Sequence, residues 1–213
     1  MKLFDVYPLY EVCPVKAKDI HVYDEAGTEY LDLYGGHAVI SVGHSHPYYV
    51  NRLQEQLHKI AFYSNAVENP LQQKLADEIG EQSCLHDYQL FLCSSGAEAN
   101  ENALKLASFH TGKKRVVAFK NAFHGRTSAA VAVTDNQNIN APLNQQQKVT
   151  FIPFNDTATL EKELQKGDVC AVIFEPIQGV GGLDIPEDNF VLEMEKLCYQ
   201  YDTALIADEV QSG

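Results

Sequence analysis

The second part of the chain alternates between short apolar runs and longer amphipathic stretches. Five apolar runs predict buried strands: residues 88–93, 115–120, 149–154, 169–174 and 203–207. Four stretches between them predict helices: residues 98–109, 127–133, 156–165 and 187–201. Because parallel strands need crossover connections of about a dozen residues, usually helical, this alternation predicts an α/β fold with a mostly parallel sheet.

The first part of the chain has a different pattern. Residues 20–33 predict a β-hairpin. Pro47 suits the first turn of a helix that runs to about residue 60, and a second helix, starting at residues 69–70, carries Leu, Leu and Ile on one face. Between these elements stand His44 and His46. Metal ligation is one interpretation of the pair, but no cysteine or carboxylate cluster stands near in sequence, and His46 could instead cap the helix that follows.

Composition and charge narrow the class of protein. Sixteen basic and twenty-nine acidic residues give a net charge of −13, which argues against nucleic acid or an anionic membrane as a partner. No apolar run approaches the roughly 20 residues of a membrane-spanning helix, and the first residues lack the apolar core of a signal peptide. The five cysteines are scattered and form no Cys-x-x-Cys pair, which predicts reduced thiols and a cytoplasmic location.

Polar groups follow four of the predicted strands, at residues 94–96, 123–126, 175–179 and 208–211. In parallel α/β sheets, ligands bind at the carboxyl ends of the strands. The turn at 94–96 leads into a helix and offers either an anion site or only a tight turn with a helix cap. Together these groups comprise a phosphate cradle, an aromatic face, a fixed cation and an acid. A phosphorylated, flat, heteroaromatic cofactor needs such a set.

The same motifs, in the same order, resemble those of class-III pyridoxal-phosphate-dependent aminotransferases. The matching segments are residues 95–101, 122–126, 175–179 and 208–211, with residues 43–47 in the N-terminal part. The acetylornithine branch is the most similar. The resemblance implies a fold-type-I PLP-dependent transferase: an incomplete large domain plus the N-terminal part of a small domain. It implies that residues 1–68 form the N-terminal segment and linker helix, and residues 69–213 a truncated PLP-binding domain.

The resemblance also implies roles for individual residues in holding pyridoxal 5′-phosphate. The implied cofactor-binding residues are Gly96, Ala97, Phe123, Asp208, Val210 and Gln211. Backbone groups of Gly96 and Ala97 would hold the phosphate, and Phe123 would stack on the ring. Asp208, the implied catalytic residue, would pair with the pyridine nitrogen. Val210 would pack on the opposite face, and Gln211 would reach the ring hydroxyl. Phe123 could alternatively be an ordinary core residue.

Two further residues are implied on the substrate side. Arg126 would bind the carboxylate of an N-acylated ornithine. Its alternative role is a surface cation at a helix N-terminus, but that end already carries partial positive charge, which disfavours an arginine there without an anion. Glu175 would either contribute to the substrate site or only orient neighbouring groups. No metal is implied.

Three departures from the family pattern bear on activity. Val180 stands where the family usually has a second glutamate that helps to gate a carboxylate-binding arginine. His37 stands where ornithine enzymes carry tyrosine and acetylornithine enzymes usually an aliphatic residue. The family's Schiff-base lysine follows the acidic strand by a few dozen residues and is absent from this chain; Lys105 and Lys120 belong to other motifs. We therefore expect the first half of an aminotransferase, inactive by itself.

The resemblance implies transfer of the δ-amino group of N-acetylornithine, or a related N-acylated ornithine, to 2-oxoglutarate, in arginine biosynthesis and as a homodimer. Two alternatives stay open. One is another class-III enzyme, such as an ornithine or 4-aminobutyrate aminotransferase or a glutamate-semialdehyde mutase. The other is a non-catalytic cofactor-binding or dimerisation module.

Overall fold

Tight turns fold the beginning of the chain into a small antiparallel sheet. The computed structural model describes residues 1–213 and divides them into two units, Met1–Leu90 and Phe91–Gly213. In the first unit, three strands pair antiparallel in chain order: β1 (Pro14–Lys18), β2 (His21–Asp24) and β3 (Glu29–Leu31). The predicted hairpin is confirmed as β2 and β3. β1 was not predicted, because its alternation is short and contains only two apolar side chains, Val15 and Ala17.

Helices complete the first unit: α1 (Gly35–Ala38), α2 (Pro47–Lys59) and α3 (Pro70–Ser83). Both predicted helices are confirmed, and each begins with the proline that the sequence places there. The Asn69 side chain accepts the N–H of Leu71 and so caps α3. His46 occupies the N-cap position of α2 without a capping side-chain bond, so that interpretation is wrong for its side chain. Nε2 of His44 lies 2.7 Å from Oδ2 of Asp32, so this imidazole pairs with a carboxylate of the chain.

A four-stranded parallel sheet forms the second unit, in the order β5-β4-β6-β7. Its strands are β4 (Arg115–Phe119), β5 (Val149–Ile152), β6 (Val169–Phe174) and β7 (Ala204–Ala207). The two central strands, β4 and β6, are buried at every position. Such burial on both faces explains why their sequences are apolar apart from Arg115, the first residue of β4. The predicted parallel α/β sheet is confirmed.

The sheet is flanked by four helices: α4 (Gly96–Thr111), α5 (Ser128–Ala132), α6 (Thr157–Leu164) and α7 (Asp188–Gln200). A 3₁₀ turn, Gln137–Ile139, interrupts the polar loop before β5. Asp156 caps α6, as predicted, by accepting the Thr159 N–H at 3.0 Å. Gly112 ends α4 in a left-handed conformation with φ 68°. No helix of the chain is both long and apolar enough to cross a membrane.

Apolar residues cover the sheet on both faces. On one face the core is built from α6 and α7 and includes Phe119 and Phe190, whose rings meet edge to face with their centroids 5.8 Å apart. On the other face Leu104 and Ala107 of α4 pack on strand residues such as Ala118. The helix on this second face brings its N-terminus to the carboxyl edge of the sheet, where the candidate site lies.

The apolar run at residues 88–93 is the main error of the sequence-based prediction. These residues form no strand, and Phe91 is 64% exposed. An apolar segment becomes a strand only where a neighbouring backbone offers hydrogen bonds. Within this chain the sheet places β5 and β7 at its edges, and neither edge pairs with residues 88–93.

Candidate active site

Asp208 lies at the carboxyl end of β7, at the edge of the sheet where α/β proteins bind ligands. Its backbone N–H donates to the carbonyl oxygen of Phe174 at 2.8 Å, which extends the pairing of β7 with β6 by one residue. The side chain is nevertheless buried, with the residue only 8% exposed. A carboxylate in this position needs donors of its own, since burial disfavours its charged form.

Two side-chain donors meet at one oxygen of Asp208. Nδ1 of His124 and Nδ2 of Asn100 each lie 2.7 Å from Oδ2. Oδ1 accepts a longer bond, 3.2 Å, from the N–H of Val210. Burial by itself would raise the pKa of Asp208. The hydrogen bonds and charge interaction from His124, with the bond from Asn100, outweigh it and hold the pKa below its ordinary value. The site therefore keeps an ionised carboxylate in a buried place.

Both donors are themselves fixed by the backbone around them. Asn100 lies one turn into α4, and its amide also donates to the carbonyl oxygen of His124 at 2.9 Å. The N–H of His124 donates to Oγ1 of Thr134 at 2.9 Å, and the Thr134 hydroxyl contacts the carbonyl oxygens of Gly125 and Ala130. These bonds join α4, the 122–126 segment and α5 around Asp208. Each donor therefore reaches the carboxylate from a constrained position.

Glycine is required where the 94–97 turn packs against the end of β7. A Cβ built on Gly96 would lie 2.6 Å from Cγ2 of Val210, closer than real Cβ contacts come. Gly125 has φ +124°, and a Cβ there would lie 2.7 Å from Cβ of Ala97. The turn before α4 is thus held tightly between Val210 and the 122–126 segment. Ser95 caps α4, with Oγ accepting the N–H of Glu98 at 3.2 Å.

Phe123 and Glu175 are joined through the backbone. The N–H of Phe123 donates to Oε1 of Glu175 at 2.8 Å, and the Phe123 side chain is half-buried. Burial raises the pKa of Glu175 above its ordinary value, although the bond from Phe123 opposes that shift. This contact supports the interpretation that Glu175 orients its neighbours, because the residue that it holds is the predicted stacking residue.

Arg126 is exposed and stands just before α5. Oε2 of Glu101 accepts the backbone N–H groups of Ala129 and Ala130 at 2.8 and 3.2 Å, so a carboxylate of this chain already lies at the N-terminus of α5. This finding removes the electrostatic argument that an arginine at this end needs a bound anion. A substrate role for Arg126 is therefore supported only by the resemblance.

The predicted residues at the end of β7 lie along one short segment. Gln211 is exposed, and its Oε1 lies 3.0 Å from the position of a Cβ on Gly179. Val180, the departure from the family pattern, is 70% exposed. Sequence reasoning missed Asn100, His124 and Glu101 as site residues, although all three stand inside its motifs. Polar residues on the buried side of a helix or loop were the signal that could have identified the first two.

Comparison with known protein families identifies the family of this chain. Residues 5–213 match the family model described as aminotransferase class-III. The chain belongs to the class-III aminotransferases. Among curated relatives, it is 42% identical to the acetylornithine aminotransferase of Bacillus cereus over 99% of this chain and 54% of that protein. It is 34% identical to one from Bacillus amyloliquefaciens, covering 99% of this chain and 92% of that protein.

Solved structures of other aminotransferases share the fold. The ornithine aminotransferase of Toxoplasma gondii superposes with a TM-score of 0.87 at 28% identity, covering 97% of this chain and 51% of that one. The N-acetylornithine aminotransferase of Stenotrophomonas maltophilia gives 0.79 at 33% identity, covering 97% and 52%. The chain spans about half the length of most of the relatives it matches. The predicted fold-type-I α/β class is confirmed.

The cofactor of class-III aminotransferases is pyridoxal 5′-phosphate, and two features of this sheet edge fit it. Oδ2 of Asp208 already accepts two short hydrogen bonds, whereas Oδ1 accepts one longer bond and retains capacity for a ring N–H. At Gly96, packing against Val210 leaves no space for a side chain beside the first N–H groups of α4. A buried acid and a helix N-terminus that begins with glycine therefore lie at this edge, and both are compatible with such a cofactor.

Proposed function

We propose that this chain is the cofactor-binding N-terminal portion of an acetylornithine-type aminotransferase. The complete enzyme moves the δ-amino group of N-acetylornithine, or a related N-acylated ornithine, to 2-oxoglutarate in arginine biosynthesis. The observation that carries the proposal is the buried, ionised Asp208 at the carboxyl end of β7, close to a glycine turn at a helix N-terminus. The acetylornithine relatives, up to 42% identical over 99% of the chain, support the choice of substrate.

Each residue at the edge has a role in this proposal. Asp208 holds a proton at the pyridine nitrogen, and when bound the protonated ring supplies a sink for electrons from the carbon that carries the amino group. The backbone N–H groups of Gly96 and Ala97 bind the phosphate at the positive end of α4. Phe123, fixed through its N–H by Glu175, covers one face of the ring, and Val210 covers the other.

The substrate side of the proposal depends on fewer contacts. Arg126 binds the substrate carboxylate, and Gln211 contacts the ring hydroxyl. Val180 cannot form the charged gate that a glutamate forms in the family, so we propose that the amino acceptor is handled without it. The protein is a homodimer in the cytoplasm, as the resemblance and the cysteine content imply.

The test is carried out on the product of the complete reading frame that contains this chain. With pyridoxal phosphate and 2-oxoglutarate supplied, glutamate formation is measured with N-acetylornithine, ornithine and 4-aminobutyrate as donors. The proposal expects kcat/KM for N-acetylornithine to exceed the other values by at least tenfold. No glutamate from any of the three donors would contradict the proposed activity, and preference for 4-aminobutyrate would exclude the acetylornithine type.

Free ornithine is the second candidate donor. The ornithine aminotransferase of T. gondii superposes with a higher TM-score, 0.87, than the S. maltophilia N-acetylornithine enzyme, 0.79, although its sequence identity is lower. The same assay separates the two, because a preference for the free amino acid shows as a higher kcat/KM for ornithine than for its N-acetyl derivative.

A further inference from the structure

The imidazole of His124 has a single side-chain hydrogen bond. Its side chain is fully buried, Nδ1 lies 2.7 Å from Oδ2 of Asp208, and Nε2 has no hydrogen-bond partner. A buried nitrogen without a partner is costly, and an apolar side chain of similar shape would avoid that cost. Any advantage of a histidine over an apolar residue at this position must therefore come from the hydrogen bond of Nδ1.

The bond from Nδ1 restricts how the carboxylate can turn. Because Oδ2 accepts from both His124 and Asn100, rotation of the Asp208 carboxylate would break two short bonds. Oδ1, held by the longer bond from the Val210 N–H, is then the oxygen with acceptor capacity. Asn100 is fixed by its second bond to the His124 carbonyl oxygen, so both donors belong to one local network.

We propose that His124 is a positioning residue, whose Nδ1–H holds Oδ2 of Asp208 so that Oδ1 accepts the ring N–H of the bound pyridine compound. This inference rests on the proposed function. The inference assigns a role to one nitrogen of the imidazole. A residue that only fills space would not depend on where that nitrogen lies. The amide nitrogen of an asparagine at position 124 would lie near the place of Nδ1. The amide nitrogen of a glutamine at position 124 would lie near the place of Nε2, where the structure offers no acceptor.

The matched variants His124→Asn and His124→Gln test the proposal in the product of the complete reading frame. The probe is pyridoxamine 5′-phosphate labelled with ¹⁵N in the ring, at a pH where the free compound has an unprotonated ring nitrogen. We expect wild type and His124→Asn to bind with dissociation constants within about threefold and to show the ¹⁵N shift of a protonated ring. His124→Gln should bind at least tenfold more weakly and show the unprotonated shift.

The outcomes separate this inference from the proposed function. If wild type fails to bind the probe, the proposed function is wrong and this inference fails with it. If wild type binds and His124→Gln equals or exceeds His124→Asn in affinity and ring protonation, the positioning role alone is wrong, because packing favours the larger amide.

A wild-type measurement decides the matter if a variant does not fold. Long-range ¹H–¹⁵N spectra of the imidazole should show a proton on Nδ1, and its resonance should keep the low field of a hydrogen bond to a carboxylate when the probe binds. A proton on Nε2 alone, or loss of the Nδ1–H bond on binding, would overturn the proposal.

Discussion

The methyl groups of Val210 lie 2.6 and 2.7 Å from the position that a Cβ on Gly96 would occupy. This contact joins the turn before α4 to the segment after β7, which are 114 residues apart in sequence (210 − 96). Asp208, two residues before Val210, is tied to the same helix through Asn100. The phosphate cradle and the ring-nitrogen acid of the proposed site are therefore held at a fixed spacing by packing as well as by hydrogen bonds.

Replacing Gly96 with alanine tests this packing. The added methyl group must displace Val210, whose branched side chain has little freedom to move, and we expect a loss of about 1–3 kcal/mol in the free energy of unfolding. Affinity for pyridoxamine 5′-phosphate should fall in parallel, because the displaced turn carries the N–H groups that we propose bind phosphate. Urea unfolding and titration with the compound measure the two effects.

The double variant Gly96→Ala/Val210→Ala provides the control. Val210 is 57% exposed, so Val210→Ala alone should cost little, and in the double variant it removes the clash. A coupling free energy that restores most of the lost stability supports the contact. If the two changes are additive, the contact does not limit position 96.

Glu101 should stabilise the segment that carries Phe123 and Arg126. Its Oε2 accepts the Thr127 hydroxyl and the N–H groups of Ala129 and Ala130. Glu101→Ala removes the acceptor of the first α5 N–H groups, which should destabilise the protein by about 1–2 kcal/mol.

The control for Glu101 is Glu195→Ala on α7. Glu195 is exposed, so this change should stay within about 0.5 kcal/mol. Thermal or urea unfolding of both variants gives the comparison. Equal effects of the two changes would contradict a capping role for Glu101.

The sequence predicted the strands well where burial determines the residue types. It predicted them poorly where a strand depends on pairing with a neighbouring strand. Apart from Arg115 at the start of β4, β4 and β6 are apolar because both of their faces are covered, and residue types alone revealed them. Residues 88–93 are also mostly apolar but form no strand, since strand formation depends on a neighbouring backbone that composition does not encode.

The candidate site also has a part that the sequence predicted and a part that only the structure shows. Asp208 could be located because polar residues after an apolar strand mark the carboxyl edge of a parallel sheet. Its partners Asn100 and His124 are 108 and 84 residues away, so only the folded chain shows that they meet at one oxygen. The resemblance supplied roles for cofactor contacts but no account of what orients the acid.

Arg115 anchors a partly buried ion cluster at the amino ends of β4 and β6. Its guanidinium lies 2.7 Å from Oε2 of Glu163 and 2.7 Å from Oδ1 of Asp168. Arg115→Leu leaves the buried Glu163 carboxylate with only the exposed Lys166 as a charged partner, and we expect a loss of about 3 kcal/mol. The exposed pair of Lys196 and Glu193 is the control, because Lys196→Leu should cost less than about 1 kcal/mol. Similar losses in both variants would contradict a special role for the buried cluster.

The same cluster predicts an acid dependence of stability. Lys166 and Arg115 hold the pKa of Glu163 below its ordinary 4.5, and Arg115 holds the pKa of Asp168 below 3.8. Because both values are depressed in the folded state, their stabilisation is complete above pH 4.5 and is lost as pH falls through the lowered values. Urea unfolding from pH 6 to pH 2 should show this fall, with a shallower slope in Arg115→Leu. An unchanged slope would contradict the assignment.

The two buried cysteines should be inert. Burial raises the pKa of the Cys198 thiol to about 12 and also raises that of Cys170, whereas Cys13 is exposed. Since the thiolate is the reactive form, iodoacetamide at pH 8 should label Cys13 at least tenfold faster than either buried thiol. Mass spectrometry of peptides gives the rates. Rapid labelling of Cys198 in the folded protein would show that the α7 face of the sheet is open.

The most direct test of the account is the half-reaction rate of Asp208→Asn with saturating cofactor in the product of the complete reading frame. Because Oδ2 accepts two donors, the asparagine oxygen should take its place, which turns the NH₂ group toward the ring nitrogen. That group donates a hydrogen bond where Asp208 accepts one, so the ring loses its proton. We predict a rate at least about 10³-fold below wild type, since preorganised charge is usually the largest catalytic contribution. A rate within tenfold of wild type would contradict the assignment of Asp208.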